Sequence, residues 1–286
     1  MLANSITFTL SVKRKQQQQQ QQVIDYREYA LSAERSKIAY LSYEEVKALW
    51  SGATANSNPL INSVFEGVTN EPKYYEDSVS GLNAYSWLQG RTLHFVFRGT
   101  AGLTDIKIDI QKDRVRLFPD NPSILVHRGF FTQLSSIRMQ MLMEVEQLTS
   151  MIDVVHFSGH SLGGAVATLA AGVVATAAGC RVSCHTIGSP RVGNKAFVKW
   201  WAGLVSDSVR IQNFKDPIPL LPINGLYTHI HGAIEINDAG DVKIIEHDVP
   251  WYYRILRLPF EIYWRNPFAN HACDLYIQRL MALGKF

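Results

Sequence analysis

The residues best placed to do chemistry form a Gly-x-Ser-x-Gly motif, Gly159-His160-Ser161-Leu162-Gly163. A short apolar run, residues 154–158, precedes the motif, and an alanine-rich stretch with high helix propensity follows it. A serine between a buried strand and a helix lies on a tight turn that raises its hydroxyl above the sheet. Unpaired N–H groups at the start of the helix favour a developing oxyanion. The pattern predicts Ser161 as a nucleophile in acyl transfer; the competing interpretation is a glycine-rich structural turn.

A serine hydroxyl is a weak nucleophile until a base removes its proton. In this arrangement the acid and then the histidine follow the serine along the chain. The candidate bases are His229, His231, His247 and His271. His271 is predicted as the base because it lies in a loop directly before the last predicted helix, where it can reach the serine.

The candidate acids between the serine and this histidine are Asp207, Asp216, Asp238, Asp241, Asp248, Glu235, Glu246 and Glu261. Asp216 is predicted, because it follows the apolar strand 209–214 and is held in a stiff turn by Pro217 and Pro219. Active sites of open α/β sheets lie at such carboxyl ends of strands. The carboxylate would fix the tautomer of the imidazole and stabilise its cation.

An oxyanion also needs two hydrogen-bond donors. One is normally the N–H of the residue after the nucleophile, here Leu162. The second is predicted at Thr100, which ends the strand-like run FVFRGT and offers both an N–H and a hydroxyl. The alternative for Thr100 is a simple turn residue.

The elements that position these residues alternate along the chain. Helical spacing of apolar residues occurs over 26–50, 131–148, 162–178 and the C-terminal end, whereas strands are predicted over 79–98, 154–158, 181–189 and 209–214. Residues 51–62, rich in Asn, Ser and Gly, are predicted as a loop. This order predicts one α/β domain with a mostly parallel sheet covered by helices on both faces.

Composition limits the remaining possibilities. The 286 residues are 47% hydrophobic, and 28 basic against 25 acidic residues give a net charge of +3. The sequence shows no clustered basic face of the kind that would indicate a nucleic-acid partner. The three cysteines are too few for a disulfide framework or a zinc motif, so they are expected to be buried free thiols.

The N-terminus is of low complexity. Residues 13–22 read KRKQQQQQQQ, which predicts a disordered tail over 1–22 and a single folded domain over 23–286. We find no signal peptide, transmembrane run or glycosylation sequon, which favours a cytoplasmic, reducing location, peripheral at lipid surfaces.

Six segments together resemble the class 3 lipases across roughly residues 25–280. They are FRGT (97–100), VHRGFF (126–131), SGHSLGGAVATLAA (158–171), GSPRVGNKAF (188–197), NFKDPIPLLP (213–222) and NHACDLYI (270–277). The resemblance implies an α/β-hydrolase fold, hydrolysis of carboxylic esters of lipids, and no metal or organic cofactor. It also implies Ser161, Asp216 and His271 as the triad, and Thr100 with Leu162 as oxyanion donors. His127 matches a histidine usual near the site, which we interpret as structural.

Two further segments bear on the predicted site. Residues 104–110 alternate isoleucine with charged residues, which is more typical of a strand than of a helical lid. Residues 251–268 contain seven aromatic residues with three arginines between them. They form either an acyl-chain groove or lipid-surface patch, or core packing covered by arginine stems.

Three functions follow from these residues. The first is an acylglycerol lipase acting through an acyl-enzyme. The second is an enzyme with the same chemistry and a different substrate, either a phospholipase A1-type enzyme or a short-chain carboxylesterase. The third is a catalytically silent α/β-hydrolase scaffold that binds lipid or protein. The acyl-chain preference and the oligomeric state are left open.

Overall fold

The structure is a computed structural model that describes residues 24–53, 58–100, 113–205, 207–222, 225–230, 232–246, 248 and 269–285. The predicted disordered tail, the segment 104–110, the aromatic segment 251–268, His231 and His247 lie outside the described residues.

An eight-stranded sheet forms the centre of the molecule. Its strands lie in the spatial order β1 (Lys73–Asp77), β2 (Leu82–Gln89), β3 (Thr92–Phe97), β6 (Val154–His160), β7 (Arg181–Ile187), β8 (Asp207–Asn213), β9 (Ala233–Ile236) and β10 (Val242–Ile245). The five strands from β3 to β9 run parallel, and antiparallel strands close both edges. The predicted α/β class with a mostly parallel sheet is confirmed. A separate antiparallel pair, β4 (Arg114–Phe118) and β5 (Asn121–His127), packs outside this sheet.

Helices cover both faces of the sheet. They are α1 (Tyr26–Ile38), α2 (Tyr43–Trp50), α3 (Pro59–Phe65), α4 (Arg128–Leu148), α5 (Leu162–Ala177), α6 (Lys195–Ala202) and α7 (Cys273–Gly284). Helices α4, α5 and α6 enclose the larger apolar core, in which Phe95 and Phe157 stack with ring centroids 5.4 Å apart. Helices α1 and α7 pack on each other and on the opposite face. Residues alternate between the two faces along a strand, so His94 and His156 lie on the α1 side.

Local signals in the sequence explain where the first helices begin. The Asp25 side chain accepts a hydrogen bond from the Glu28 N–H at 3.0 Å, and Ser42 forms a reciprocal capping box with Glu45. The prediction of a loop over 51–62 is wrong at its end. Asn58 caps α3, and Pro59 occupies its first turn, where a missing N–H costs nothing.

The cysteines and the helices give two further findings. Cys180, Cys184 and Cys273 are free thiols, as predicted, but of the three only Cys184 is buried, whereas Cys180 and Cys273 are half-buried. None of the helices in the described ranges has the length and apolar composition needed to cross a membrane.

Candidate active site

Ser161 lies on the turn between β6 and α5, in a conformation that side chains rarely adopt. Its φ is +59°, and its N–H donates to the carbonyl oxygen of Ile187 at 2.9 Å. The flanking glycines allow close backbone packing. A Cβ on Gly159 would lie 2.4 Å from the carbonyl carbon of Gly163, and a Cβ on Gly163 would lie 2.2 Å from the oxygen of Phe97. A strained serine held by such contacts is typical of a nucleophile turn.

His271 and Asp216 form a buried hydrogen-bonded pair. The Nδ1 of His271 donates to Oδ2 of Asp216 at 2.8 Å, and each residue is about 2% exposed or less. Because a carboxylate only accepts, the neutral imidazole carries its proton on Nδ1 and keeps the lone pair on Nε2. This Nε2 is buried and has no hydrogen-bond partner among the described residues. The arrangement leaves His271 ready to accept a proton.

Asp216 is held in place by two further donors. The Ile218 N–H donates to Oδ1 at 2.9 Å, and the Tyr276 hydroxyl donates to Oδ2 at 2.6 Å. The same tyrosine oxygen accepts the Asn213 N–H at 2.9 Å. Burial, followed by the charge of Asp216, raises the pKa of Tyr276 well above its ordinary value, so this hydroxyl keeps its proton. Sequence reasoning missed the role of Tyr276, although this residue lies within the segment NHACDLYI (270–277), because its contact with Asp216 joins residues 60 positions apart.

His160, the residue before the serine, hydrogen-bonds to the backbone of His271 and packs against its ring. Its Nε2 donates to the His271 carbonyl oxygen at 2.7 Å, and its Nδ1 accepts the Tyr40 hydroxyl at 2.9 Å. The two imidazole rings lie 4.5 Å apart. Burial, followed by the proximity of His271, lowers the pKa of His160 well below its ordinary value and keeps its ring neutral. The sequence does not predict this contact, because Tyr40 is 120 residues away in the chain.

The serine hydroxyl and the histidine base do not yet share a hydrogen bond. Ser161 Oγ is buried and, like His271 Nε2, has no partner among the described residues. Catalytic hydrogen bonds are often long without substrate and tighten in the complex. The structure thus brings Asp216 and His271 into direct contact and places Ser161 one residue from His160, which touches His271.

The two predicted oxyanion donors flank the serine. Leu162 is the first residue of α5, so its N–H has no partner within the helix. Thr100 follows Gly99, where a Cβ would lie 3.1 Å from the Cβ of Ser161. Both residues therefore lie beside the nucleophile, and their role as donors stays a prediction.

A cavity of about 310 Å³ opens beside the nucleophile turn. Leu162, His127 and Phe130 contribute to its wall. His127 stacks on Phe130 with ring centroids 4.1 Å apart, and its N–H donates to the Val192 oxygen at 2.9 Å. This volume falls within the range of small-molecule sites. Of the other candidate bases, His229 uses its Nε2 to donate to the Pro219 oxygen at 2.6 Å.

Fold and site together define an α/β-hydrolase with a serine at its nucleophile turn. Residues 94–225 match the family model for "Lipase (class 3)". This match confirms the resemblance to the class 3 lipases drawn from the motifs.

Individual proteins agree with this assignment. Secreted mono- and diacylglycerol lipase A of Penicillium cyclopium is 31% identical over 138 residues, which cover 44% of each chain. Phospholipase A1-II 6 of Oryza sativa subsp. japonica is 34% identical over 162 residues, covering 45% of this chain and 39% of the rice protein. The chain spans less than half the length of these curated relatives. The crystallised lipase II of Rhizopus niveus superposes with a TM-score of 0.67 at 22% identity, over 87% of this chain and 96% of that one, which shows the shared fold.

Proposed function

We propose that the protein is a serine hydrolase that cleaves carboxylic esters of lipids, with acylglycerols as the first candidate substrates. One observation carries this proposal: His271 is hydrogen-bonded through Nδ1 to Asp216, while its buried Nε2 and the hydroxyl of the strained Ser161 have no other partner among the described residues. This is the arrangement needed to activate a serine, with the carboxylate orienting the base.

The reaction proceeds in two halves. Ser161 Oγ attacks the acyl carbonyl while His271 Nε2 takes the hydroxyl proton, and the N–H groups of Leu162 and Thr100 stabilise the oxyanion. His271 then returns that proton to the leaving alcohol as the ester C–O bond breaks. A water molecule, deprotonated by the same Nε2, attacks the acyl-serine. The imidazolium then returns the proton to Ser161 Oγ as the acyl C–O bond breaks and the carboxylic acid leaves. Asp216 stabilises the imidazolium in both halves without taking the proton itself.

The choice of a lipid substrate is supported by the relatives and by the site. A mono- and diacylglycerol lipase and a phospholipase A1 each match just under half of the chain. The cavity beside Leu162 and Phe130 offers a partly apolar wall next to the nucleophile. The aromatic and arginine-rich residues 251–268 lead directly to His271 in the sequence, and we propose that they contact a lipid surface. The expected cytoplasmic location stays a prediction.

Hydrolysis of p-nitrophenyl esters from acetate to palmitate tests this function. Each ester is assayed below and above its aggregation point, with Ser161→Ala as the blank. The proposal expects activity that increases with chain length, and acylglycerols and phospholipids are then compared directly. Activity confined to short, soluble esters would replace the lipid substrate with a small ester. Activity equal to the blank on every ester would favour the silent scaffold.

A further inference from the structure

A second cluster of functional side chains lies between α1 and strands β6 and β7 of the sheet. One oxygen of Glu28 and one ring nitrogen each of His156 and His185 lie within 4.8 Å of one another. Both histidines are less than 10% exposed, and Glu28 is partly exposed at the mouth. The cluster lines a cavity of about 450 Å³. His156 and Ser161 are five strand residues apart, so the cluster lies roughly 17 Å from the nucleophile.

We propose that Glu28, His156 and His185 form a binding site for a divalent transition-metal ion, with zinc as the best fit. Two imidazole nitrogens and a carboxylate oxygen are a ligand set that zinc takes in proteins. A water molecule completes the fourth position.

The positions of the hydrogen bonds show that the ligand atoms already converge. Ser32 Oγ lies 3.3 Å from His156 Nε2, 3.0 Å from His185 Nδ1 and 3.4 Å from Glu28 Oε1. One small hydroxyl therefore occupies the centre of three metal-ligand atoms. Zinc bonds of about 2.0–2.1 Å require these atoms to draw together, and the partly exposed Glu28 has the freedom to move inward.

Outer partners orient two of the proposed ligands. His156 Nδ1 is hydrogen-bonded to Ser183 Oγ at 2.7 Å, which turns its Nε2 toward the centre of the cluster. Arg35 Nη1 donates to Glu28 Oε1 at 2.6 Å, which fixes the position of this oxygen. Metal ligands are commonly held by such second contacts. The Arg35 charge opposes a cation, and the Asp207 and Glu66 side chains that line the same cavity offset it.

A further histidine, His94, supports the binding of a ligand in this cavity. His94 is 4% exposed, lines the cavity, and lies edge-on to His156 at 5.3 Å. Its Nδ1 is buried and has no hydrogen-bond partner among the described residues.

The competing explanation is a buried hydrogen-bond network centred on Ser32, with no role for a metal. The two explanations differ in what Ser32→Ala does. A metal site keeps its zinc affinity without this hydroxyl, because water supplies the fourth ligand. A hydroxyl-centred network binds no zinc in either form and only loses stability.

The test is a zinc titration of the full chain after removal of metals with a chelator. Calorimetry measures the stoichiometry, and Co²⁺ in place of Zn²⁺ reports the geometry through its visible absorption. We expect one ion per chain and the intense absorption of tetrahedral cobalt. Glu28→Gln and His185→Asn should each weaken zinc binding more than about 100-fold, whereas Ser32→Ala and the distant control His229→Gln should leave it unchanged.

The outcomes separate this proposal from the proposed activity. Absence of stoichiometric binding to the wild-type chain overturns the metal site, as does unchanged affinity in Glu28→Gln. Glu28 is 34% exposed, so its variant is expected to fold even where His185→Asn does not. Ester hydrolysis is measured in chelator alongside, and we expect it to persist because the triad does not share these ligands.

Discussion

Replacing Gly188 with alanine tests the geometry of the His271–Asp216 pair. Gly188 follows β7 with a φ of +58°, and its N–H donates to the Ile211 oxygen at 2.8 Å. An added Cβ would lie 2.9 Å from Asp216 Oδ2 and 3.0 Å from His271 Nδ1. Apolar carbon contacts are ordinarily about 3.5–4.0 Å, so one partner of the hydrogen bond must move.

The displacement has a definite expected size. Asp216 Oδ2 is fixed by both His271 and Tyr276, so the added methyl group cannot be accommodated by a free rotation. Misplacement of a catalytic group by about 1 Å costs on the order of 100-fold in rate. Gly188→Ala should therefore lower kcat about 100-fold and leave KM nearly unchanged. The backbone strain of alanine at this φ should lower the free energy of unfolding by about 1 kcal/mol.

Gly90 provides a matched control. It has the same φ of +58°, in the turn between β2 and β3, and a Cβ there would meet no atom within 4 Å. Gly90→Ala carries the same backbone strain without crowding the pair. Kinetics on a p-nitrophenyl ester and urea unfolding of both variants separate strain from displacement. Wild-type kcat in Gly188→Ala would refute the argument, as would an equal loss of kcat in Gly90→Ala.

Three further predictions concern the triad, its support and its surroundings. Ser161→Ala should lower kcat by about 10⁶ and Asp216→Ala by about 10⁴, in steady-state assays of variants whose circular dichroism matches the wild type. Tyr276→Phe removes the hydroxyl from Asp216 and leaves a buried N–H unpaired, so urea unfolding should show a loss of about 2–3 kcal/mol and kinetics about a tenfold loss of kcat. Burial lowers the pKa of His185 to about 4, against about 6.5 in an unfolded chain. Between about pH 4 and pH 6.5 only the unfolded state binds a proton at His185. The contribution of this group to the free energy of unfolding is therefore fully present above pH 6.5 and should fall by up to about 1.4 kcal/mol per pH unit below it. Urea midpoints at pH 7 and pH 5 in chelator check this, and His185→Gln should flatten the dependence.

The sequence predicts the central α/β alternation and the serine turn because both are local patterns. An apolar strand, a glycine pair and an alanine-rich helix occur within 25 residues around Ser161, and each constrains the backbone directly. The positions of Asp216 and His271 follow from the order of elements, since parallel strands end at the same edge of the sheet. Their hydrogen bond in the structure agrees with that placement.

The missed features depend on packing between distant segments. Strands β1, β4, β5 and β10 are short, polar or partly exposed, and they lack the apolar runs of the parallel strands. The contact of Tyr40 with His160 joins residues that only the packing of α1 on the sheet brings together. The same holds for His156 and His185, which lie within apolar strands whose composition predicts burial. The polar groups opposite these two histidines come from α1, the helix that covers this side of the sheet.

Labelling with a fluorophosphonate tests most directly the claim that Ser161 is an activated nucleophile. The folded chain is treated with the probe, digested and analysed by mass spectrometry, beside the His271→Ala variant and a heat-unfolded sample. We predict one adduct on Ser161 in the folded wild type and a loss of labelling in both controls. A folded wild-type chain that carries no adduct on Ser161 would contradict the proposed triad.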